Sequence, residues 1–289
     1  FPHLTGLKGR TLLTSDGTTI LGADDKAGIA EILTMIERIQ TENRPHGTIC
    51  VAFTPDEEIG MGAEHFNLDQ FGAEYAYTLD GDSEGEIQYE NFNACKAEFE
   101  IRGFNVHPGE GKDTMINASL VAIEINNCLP SMETPRGTED YEGFYHLISM
   151  QGEVGEAKLN YIVRDHDKNG FEERKKTLRL IEKNLNAKWG EGTVTLKITD
   201  QYFNMKEIVE EHMHLIDHAK KACEAAGVAP LILPIRGGTD GCQLSFKGLP
   251  CPNLGTGGHA FHGPYEHISV EGMEKSVELL LALIQEYTK

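Results

Sequence analysis

Long apolar runs, a secretory leader and an initiator methionine are all missing from this 289-residue sequence. No stretch approaches the roughly 20 consecutive apolar residues that a membrane-spanning helix needs, so we expect no membrane partner. Apolar residues still make up 39% of the chain, which is typical of a globular protein with a substantial core.

Positive charge is scarce. The chain has 26 lysines and arginines against 46 aspartates and glutamates, a net charge of −20. Nucleic acids and anionic membranes bind basic surfaces, so the balance argues against both as partners. Cysteine is infrequent too, with six residues and no C-x-x-C pair. These spacings indicate neither a disulfide framework nor a thiolate zinc site, and we expect free thiols in a reducing cytoplasm.

The first 90 residues alternate between strand and helix signals. Residues 11–14 and 18–21 predict a hairpin, and a helical period begins at Lys26. The apolar run 48–54 predicts a buried strand, and 74–79 predicts another. This alternation indicates an α/β sheet covered by helices.

The middle of the chain has a different pattern, which predicts the order β-α-β-β-α-β of a ferredoxin-like α+β domain. Afterwards the α/β character returns with a long helix at 206–226, short strands at 231–233 and around Leu254, and a closing helix at 270–287. We therefore predict a catalytic domain at 1–91 and 205–289 that is interrupted by an inserted domain at 92–204. The predicted elements of the inserted domain are strands 96–101, 144–150, 157–164 and 192–198 and helices 115–128 and 172–186.

Three acidic clusters follow predicted strands, at residues 22–28, 53–60 and 78–82. Ligands collect at the carboxyl ends of strands in an open α/β sheet, so we expect the clusters to meet there. So many carboxylates would repel one another unless cations held them, and a dinuclear metal site resolves this. Taken singly, each cluster also fits a helix cap, an exposed loop pair or a turn.

A carboxylate site for zinc usually includes at least one imidazole. The glycine-rich segment 255–267 contains three histidines, and His262 is the best candidate on its sequence context. His259 and His267 fit better as surface residues or as residues that support the ligands.

Residues 22–28 (GADDKAG), 56–60 (DEEIG) and 262–266 (HGPYE) resemble the metal-site motifs of the M20 metallopeptidase family. The segments 78–81 (TLDG), 106–109 (VHPG) and 164–167 (RDHD) are similar to the members that cleave tripeptides. The resemblance extends along essentially the whole chain. It implies a zinc-exopeptidase-like catalytic domain, with the inserted domain acting as a lid.

The resemblance also implies roles for individual residues around two Zn²⁺ ions. Asp24 would bridge the ions, Glu58 and His262 would complete the protein ligands of one, and Asp80 would bind the other. Glu57 would be the general base that takes a proton from the attacking water. A cis peptide bond is expected after the bridging aspartate.

The family's second ion takes a further histidine from an upstream His-x-Asp motif. None of the twelve histidines of this chain is followed two residues later by aspartate. We therefore expect an N-terminally truncated chain, and an inactive fragment stays an alternative.

Four more residues match family positions, His107 as a catalytic residue and Asn117, Arg164 and Arg236 as substrate-binding residues. The resemblance implies that His107 stabilises the oxyanion and that Asn117 supports this contact. It implies that Arg164 grips the substrate's C-terminal carboxylate, which would favour tripeptides, and that Arg236 also contacts substrate. The alternatives are a turn histidine at 107, an Arg164 ion pair within the lid, and a strand-to-helix turn after Arg236 that Asp240 caps.

These features predict a cytoplasmic zinc aminopeptidase that acts on tripeptides, with a hinge near residues 91–93 and 204–206. Another M20 activity, on dipeptides or N-acyl amino acids, is the alternative, because the metal chemistry would be the same. The sequence leaves open whether the protein is a monomer or a homodimer.

Overall fold

A computed structural model describes residues 1–288 of the chain. These residues form two compact units. The first unit contains Phe1–Glu90, Met205–Ile235 and the described residues from Thr239 onward, and the second contains Asn91–Asn204 with Arg236–Gly238. The assignment of Arg236–Gly238 to the second unit was not predicted from the sequence.

The first unit mixes helices and strands, and the second follows the order β-α-β-β-α-β. In chain order the elements are β1 (Leu12–Thr14), α1 (Ala23–Thr41), α2 (Leu68–Phe71), β2 (Thr78–Gly81), β3 (Glu86–Gln88), β4 (Asn93–Arg102), α3 (Ala118–Asn127), β5 (Phe144–Gly152), β6 (Glu156–Asp165), α4 (Lys168–Trp189), β7 (Val194–Tyr202), α5 (Lys206–Val209), α6 (His214–Ala225), β8 (Leu231–Ile232), α7 (Asp240–Phe246), β9 (Asn253–Gly255), β10 (Gly258–His259), β11 (His267–Ser269) and α8 (Val270–Glu286).

The second unit is one antiparallel sheet with strand order β5-β6-β4-β7, and α3 and α4 pack against it. Side chains of β4 alternate between the helix-covered face and the other face, so Cys95, Ala97 and Phe99 are buried. Leu178 and Leu185 of α4 belong to the apolar stripe of that helix and are buried as well. The ferredoxin-like arrangement predicted for this part of the chain is confirmed.

The first unit has a four-stranded mixed sheet with order β2-β9-β3-β8, and α1 and α6 both pack on α8. Strand β9 is parallel to β2 and antiparallel to β3. A smaller antiparallel sheet joins β1, β11 and β10. The predicted α/β character is confirmed, and none of the helices within residues 1–288 is long and apolar enough to cross a membrane.

The predicted buried strand at residues 48–54 is wrong. This segment joins none of the three sheets formed by residues 1–288, and Val51 and Phe53 are exposed. Its apolar side chains favour burial, but a strand also needs a hydrogen-bonding neighbour, which the described sheets do not supply. The strand predicted at 74–79 begins only at Thr78.

Two further local predictions fail because distant contacts compete with local ones. The predicted hairpin is absent, since β1 pairs with β11 and the Ser15 hydroxyl closes the following loop by donating to the Thr19 carbonyl at 2.7 Å. The helix predicted at 206–226 is broken by a 3₁₀ turn between α5 and α6. At this break His212 and His214 lie against the ring of Tyr75, with centroid distances of 5.5 and 4.6 Å.

Candidate metal centre

The first group of potential metal ligands is Asp24, Glu58 and His262, whose ligand atoms all lie within 4.8 Å of one another. Nε2 of His262 is 2.9 Å from Oδ2 of Asp24 and 3.2 Å from Oε2 of Glu58. Asp24 lies in the irregular first turn of α1, and His262 lies in the loop between β10 and β11 with a φ of 60°. Segments far apart in sequence thus bring an imidazole and two carboxylates to one point.

Asp24 also belongs to a second group, with Asp25 and Asp80. Asp80 reaches it from β2, and the peptide bond between Asp24 and Asp25 is cis, as the family resemblance predicted. Asp25 was not predicted to be a ligand, although its position next to Asp24 could have suggested it. One carboxylate shared by two groups is an arrangement that can bridge two cations.

Burial and mutual repulsion make these carboxylates difficult to ionise. Burial, followed by the charge of Asp24, raises the pKa of Asp25 to about 8, and burial followed by the charge of Asp25 raises that of Asp80 to about 9. A divalent cation would reverse this balance, because it attracts the ionised forms. The donor set of carboxylates and one imidazole fits Zn²⁺, and also Mn²⁺ or Co²⁺.

Glu57 lies beside these groups without belonging to either. It opens a short 3₁₀ turn between Asp56 and Gly60, both of which have left-handed backbone conformations. Burial, followed by the charges of Asp240 and Glu58, raises the pKa of Glu57 to about 7. A carboxylate near the ligands but outside the ligand groups can exchange protons.

Asp240 is a neighbour of Glu57 that the sequence analysis considered only as a cap. The side chain of Thr239 caps α7 instead, by accepting from the Gly241 N–H at 3.3 Å, so the predicted cap is wrong. Asp240 is 4% exposed, and its carboxylate oxygens have no hydrogen-bond donor among residues 1–288.

Two buried polar side chains hold the backbone of the ligand-bearing segments. The carboxylate of Glu266 accepts from the N–H groups of Gly22 and Asp24 at 2.6 and 3.0 Å. The side-chain oxygen of Asn253 accepts from the Asp80 N–H at 3.1 Å. Glu266 stands in a motif that the sequence analysis quoted without giving it a role, and no local signal marks Asn253.

His107 and the three predicted substrate-binding residues belong to the second unit. His107 is exposed, and its Nδ1 accepts from the Gly109 N–H at 3.2 Å. Asn117 caps α3, with its side-chain oxygen accepting from the Leu120 N–H at 3.3 Å. Their contacts with substrate stay predictions.

Arg164 is 9% exposed and donates to the carbonyls of Cys95 and Val163 at 3.3 and 3.0 Å. The alternative expectation of an ion pair with a neighbouring aspartate is wrong for Asp165, whose Oδ2 accepts from Nε of Arg174 at 2.7 Å. The two backbone carbonyls accept from the guanidinium, whose carbon also lies 5.2 Å from the centroid of the Tyr202 ring, so neutral partners hold the group in place.

Arg236 anchors a loop of the same unit. Its guanidinium donates to the carbonyls of Asp140 and Glu142 at 2.7 and 3.0 Å and to the hydroxyl of Thr138 at 2.9 Å. It also lies over the ring of Phe92, 5.1 Å from the centroid. Arg236 therefore has a structural role that the sequence analysis did not anticipate.

Comparisons with known proteins agree with the geometry. Residues 17–286 match the model of peptidase family M20/M25/M40. Peptidase T of Halothermothrix orenii is 54% identical over 99% of this chain and 71% of its own length. Peptidase T of Clostridium perfringens strain ATCC 13124 is 56% identical over the whole chain and again 71% of its own length.

Solved structures give the same result. The crystal structure of aminopeptidase PepT from Bacillus cereus matches with a TM-score of 0.84 at 28% identity, over 96% of this chain and 74% of that one. A dinuclear metal-binding M20 peptidase from Bacillus subtilis, 16% identical, shares the fold with a TM-score of 0.68 over 90% of this chain and 71% of that one. The chain belongs to peptidase family M20/M25/M40.

Proposed function

We propose that this chain is a metal-dependent aminopeptidase that removes the N-terminal residue from tripeptides. The observation that carries the proposal is the pair of ligand groups that share Asp24, with Glu57 beside them. Support for the substrate comes from peptidase T relatives that are 52–56% identical along essentially the whole chain.

The proposed cofactor is two Zn²⁺ ions. Asp24 would be common to both, Glu58 and His262 would hold one, and Asp80 would hold the other. When bound, the cations supply Lewis-acid activation of the attacking water and of the peptide carbonyl.

Glu57 would then move the proton. Its carboxylate would accept a proton from the attacking water as the water oxygen bonds to the carbonyl carbon. It would later deliver this proton to the leaving nitrogen as the C–N bond breaks, which returns Glu57 to its starting state. Its carboxylate is in neither ligand group, which leaves its oxygens available for this transfer.

Residues of the second unit would determine the preferred length of the peptide substrate. Arg164 would bind the C-terminal carboxylate of the peptide, Arg236 would contact the substrate, and His107 with the support of Asn117 would stabilise the oxyanion. The buried Arg164 guanidinium is held by two backbone carbonyls, so it is already oriented before a ligand arrives. A guanidinium that is already oriented loses little conformational freedom when it binds the carboxylate, which suits a residue that would select for peptide length.

The proposed location is the cytoplasm. All six cysteines are free, and Cys128 is exposed. Exposed free thiols persist in a reducing compartment.

The test compares the hydrolysis of a tripeptide with that of a dipeptide, a tetrapeptide and the N-acetylated tripeptide, before and after treatment with EDTA. The tripeptide should be cleaved fastest, N-acetylation should abolish cleavage, and EDTA should abolish it reversibly. Elemental analysis after dialysis should find about two zinc ions per chain if the carboxylates of Asp24, Asp25 and Asp80 hold the second ion without the upstream histidine, and about one if they do not. Faster cleavage of the N-acetylated peptide would instead identify a deacylase, and activity unaffected by thorough metal removal would exclude the metal mechanism.

A further inference from the structure

Glu266 is a fully buried acidic side chain that contacts a ligand-bearing segment of the candidate metal centre. It is 1% exposed, and its carboxylate spans two backbone N–H groups, with Oε2 accepting from Gly22 at 2.6 Å and Oε1 accepting from Asp24 at 3.0 Å. Some 240 residues of sequence separate the two sides of this contact. A buried carboxylate needs compensation, and here two backbone donors supply it.

The segment that Glu266 contacts has an irregular backbone. Gly22 has a left-handed conformation, and Asp24 and Asp25 have non-helical backbone angles at the start of α1. Gly22, at the N-cap of α1, has no side chain to cap the helix, and Asp25 caps it in part, with its Oδ1 accepting from the Gly28 N–H at 3.3 Å. The first N–H groups of a helix lack intrahelical acceptors and carry partial positive charge, so the Glu266 carboxylate suits them in hydrogen bonding and in charge.

Glu266 is itself firmly placed. It directly precedes β11, which is hydrogen-bonded between β1 and β10. Its own N–H donates to the carbonyl of Gly263 at 3.2 Å, which closes the turn that follows His262. One side chain therefore ties the loop that carries His262 to the segment that carries Asp24.

We propose that Glu266 is a positioning residue that fixes the carboxylate of Asp24 against His262 and thereby sets the metal affinity of both ligand groups. Asp24 belongs to both groups, so a shift in its backbone moves a ligand of each. Metal–ligand distances tolerate only about 0.2 Å, which is less than the movement that a released backbone segment allows. Residues that orient metal ligands typically change metal affinity about 10- to 100-fold when they are replaced.

This inference rests on the proposed metal centre, and the test separates the two. Metal-free protein is titrated with Zn²⁺ by calorimetry, and the visible absorption of the Co²⁺-loaded protein is recorded, for the wild type and for Glu266→Gln. Glutamine keeps the size of the side chain but turns an NH₂ group toward one of the two N–H donors. We expect the Kd for Zn²⁺ to rise about 10- to 100-fold and the Co²⁺ spectrum to change.

Glu271→Gln is the matched control. Both carboxylate oxygens of Glu271 accept from the Thr11 N–H, at 3.0 and 2.9 Å, close to the same small sheet but away from the ligand groups. The Kd of Glu271→Gln for Zn²⁺ should stay within twofold of the wild-type value, and its Co²⁺ spectrum should be unchanged. If Glu266→Gln fails to fold, Glu266→Asp keeps the charge but shortens the side chain, and the same change is expected of it.

Wild-type Zn²⁺ affinity and an unaltered Co²⁺ spectrum in a folded Glu266 variant would overturn the inference, even if thermal stability fell. That result would leave the proposed metal centre intact. A wild-type protein that binds no Zn²⁺ would overturn both.

Discussion

Replacing Glu57 with glutamine separates proton transfer from metal binding. Glutamine has nearly the same volume but cannot accept a proton from water. Glu57 lies in neither ligand group, whereas its neighbour Glu58 lies in the group with Asp24 and His262. Glu57→Gln should therefore retain the metals, and Glu58→Gln should lose affinity for them.

The expected loss of rate follows from the role of Glu57 as general base. A positioned general base contributes about 10²- to 10⁴-fold to the rate, which corresponds to about 2.7–5.4 kcal/mol at about 1.36 kcal/mol per tenfold. Stability should not decrease, because the charges that act most strongly on Glu57 are the carboxylates of Asp240 and Glu58. Removing one negative charge from this cluster relieves repulsion in the metal-free protein.

The assay measures kcat for tripeptide hydrolysis, zinc content and the thermal unfolding of the metal-free protein for Glu57→Gln and Glu58→Gln. Glu57→Gln should lose at least a hundredfold in kcat with unchanged zinc content and an unchanged or higher Tm. A loss of less than tenfold with the zinc intact would refute the role of Glu57 as base. A loss of zinc from Glu57→Gln would show that it is a ligand.

Arg164→Ala should reduce the preference for tripeptides over tetrapeptides about tenfold or more, because a hydrogen-bonded charge contact contributes about 1.5–3 kcal/mol. The ratio of the kcat/KM values for the tripeptide and the tetrapeptide measures this preference. Arg164→Lys is the control that keeps the positive charge but not the planar guanidinium. An unaltered ratio in Arg164→Ala would show that Arg164 does not select for peptide length. Asn253→Ala should lower the free energy of unfolding by about 1–3 kcal/mol in urea, because Asn253 is 2% exposed and the Asp80 N–H would lose its acceptor. Asn67, the N-cap of α2, is replaced in the control variant Asn67→Ala. A loss of unfolding free energy below about 0.5 kcal/mol for Asn253→Ala would contradict the role of Asn253 in holding the Asp80 backbone.

Elements with a strong internal period could be predicted from the sequence. Strand β4 alternates buried and less buried side chains from Cys95 to Arg102, and α4 repeats its apolar residues at helical spacing. The apolar segment 48–54 failed because hydrophobicity indicates burial but does not specify a hydrogen-bonding neighbour. The hairpin failed because the partner of β1 lies more than 250 residues away.

The candidate site likewise combines residues with a local sequence signal and residues whose role depends on distant contacts. Asp24, Glu58, Asp80 and His262 could be proposed because each lies in a short motif with its own local signal, and the structure brings all four into the two ligand groups. Asn253 could not, since it acts on Asp80 across two strands through a hydrogen bond that no sequence spacing encodes. Residues that supply chemistry are visible in sequence more readily than residues that position them.

The site concentrates features that oppose folding. Asp56 and His262 have positive φ values of 61° and 60°, a conformation that costs of order 1–3 kcal/mol for a residue other than glycine. Burial raises the pKa of Asp25 and Asp80, so ionising them at neutral pH costs further free energy. A cation that binds only the folded state offsets such costs, by about 2.7 kcal/mol when its free concentration is 100 times its Kd. The strained, charged arrangement is therefore best explained as a state that metal binding completes, because an arrangement selected for stability alone would place neither the charges nor the backbone this way.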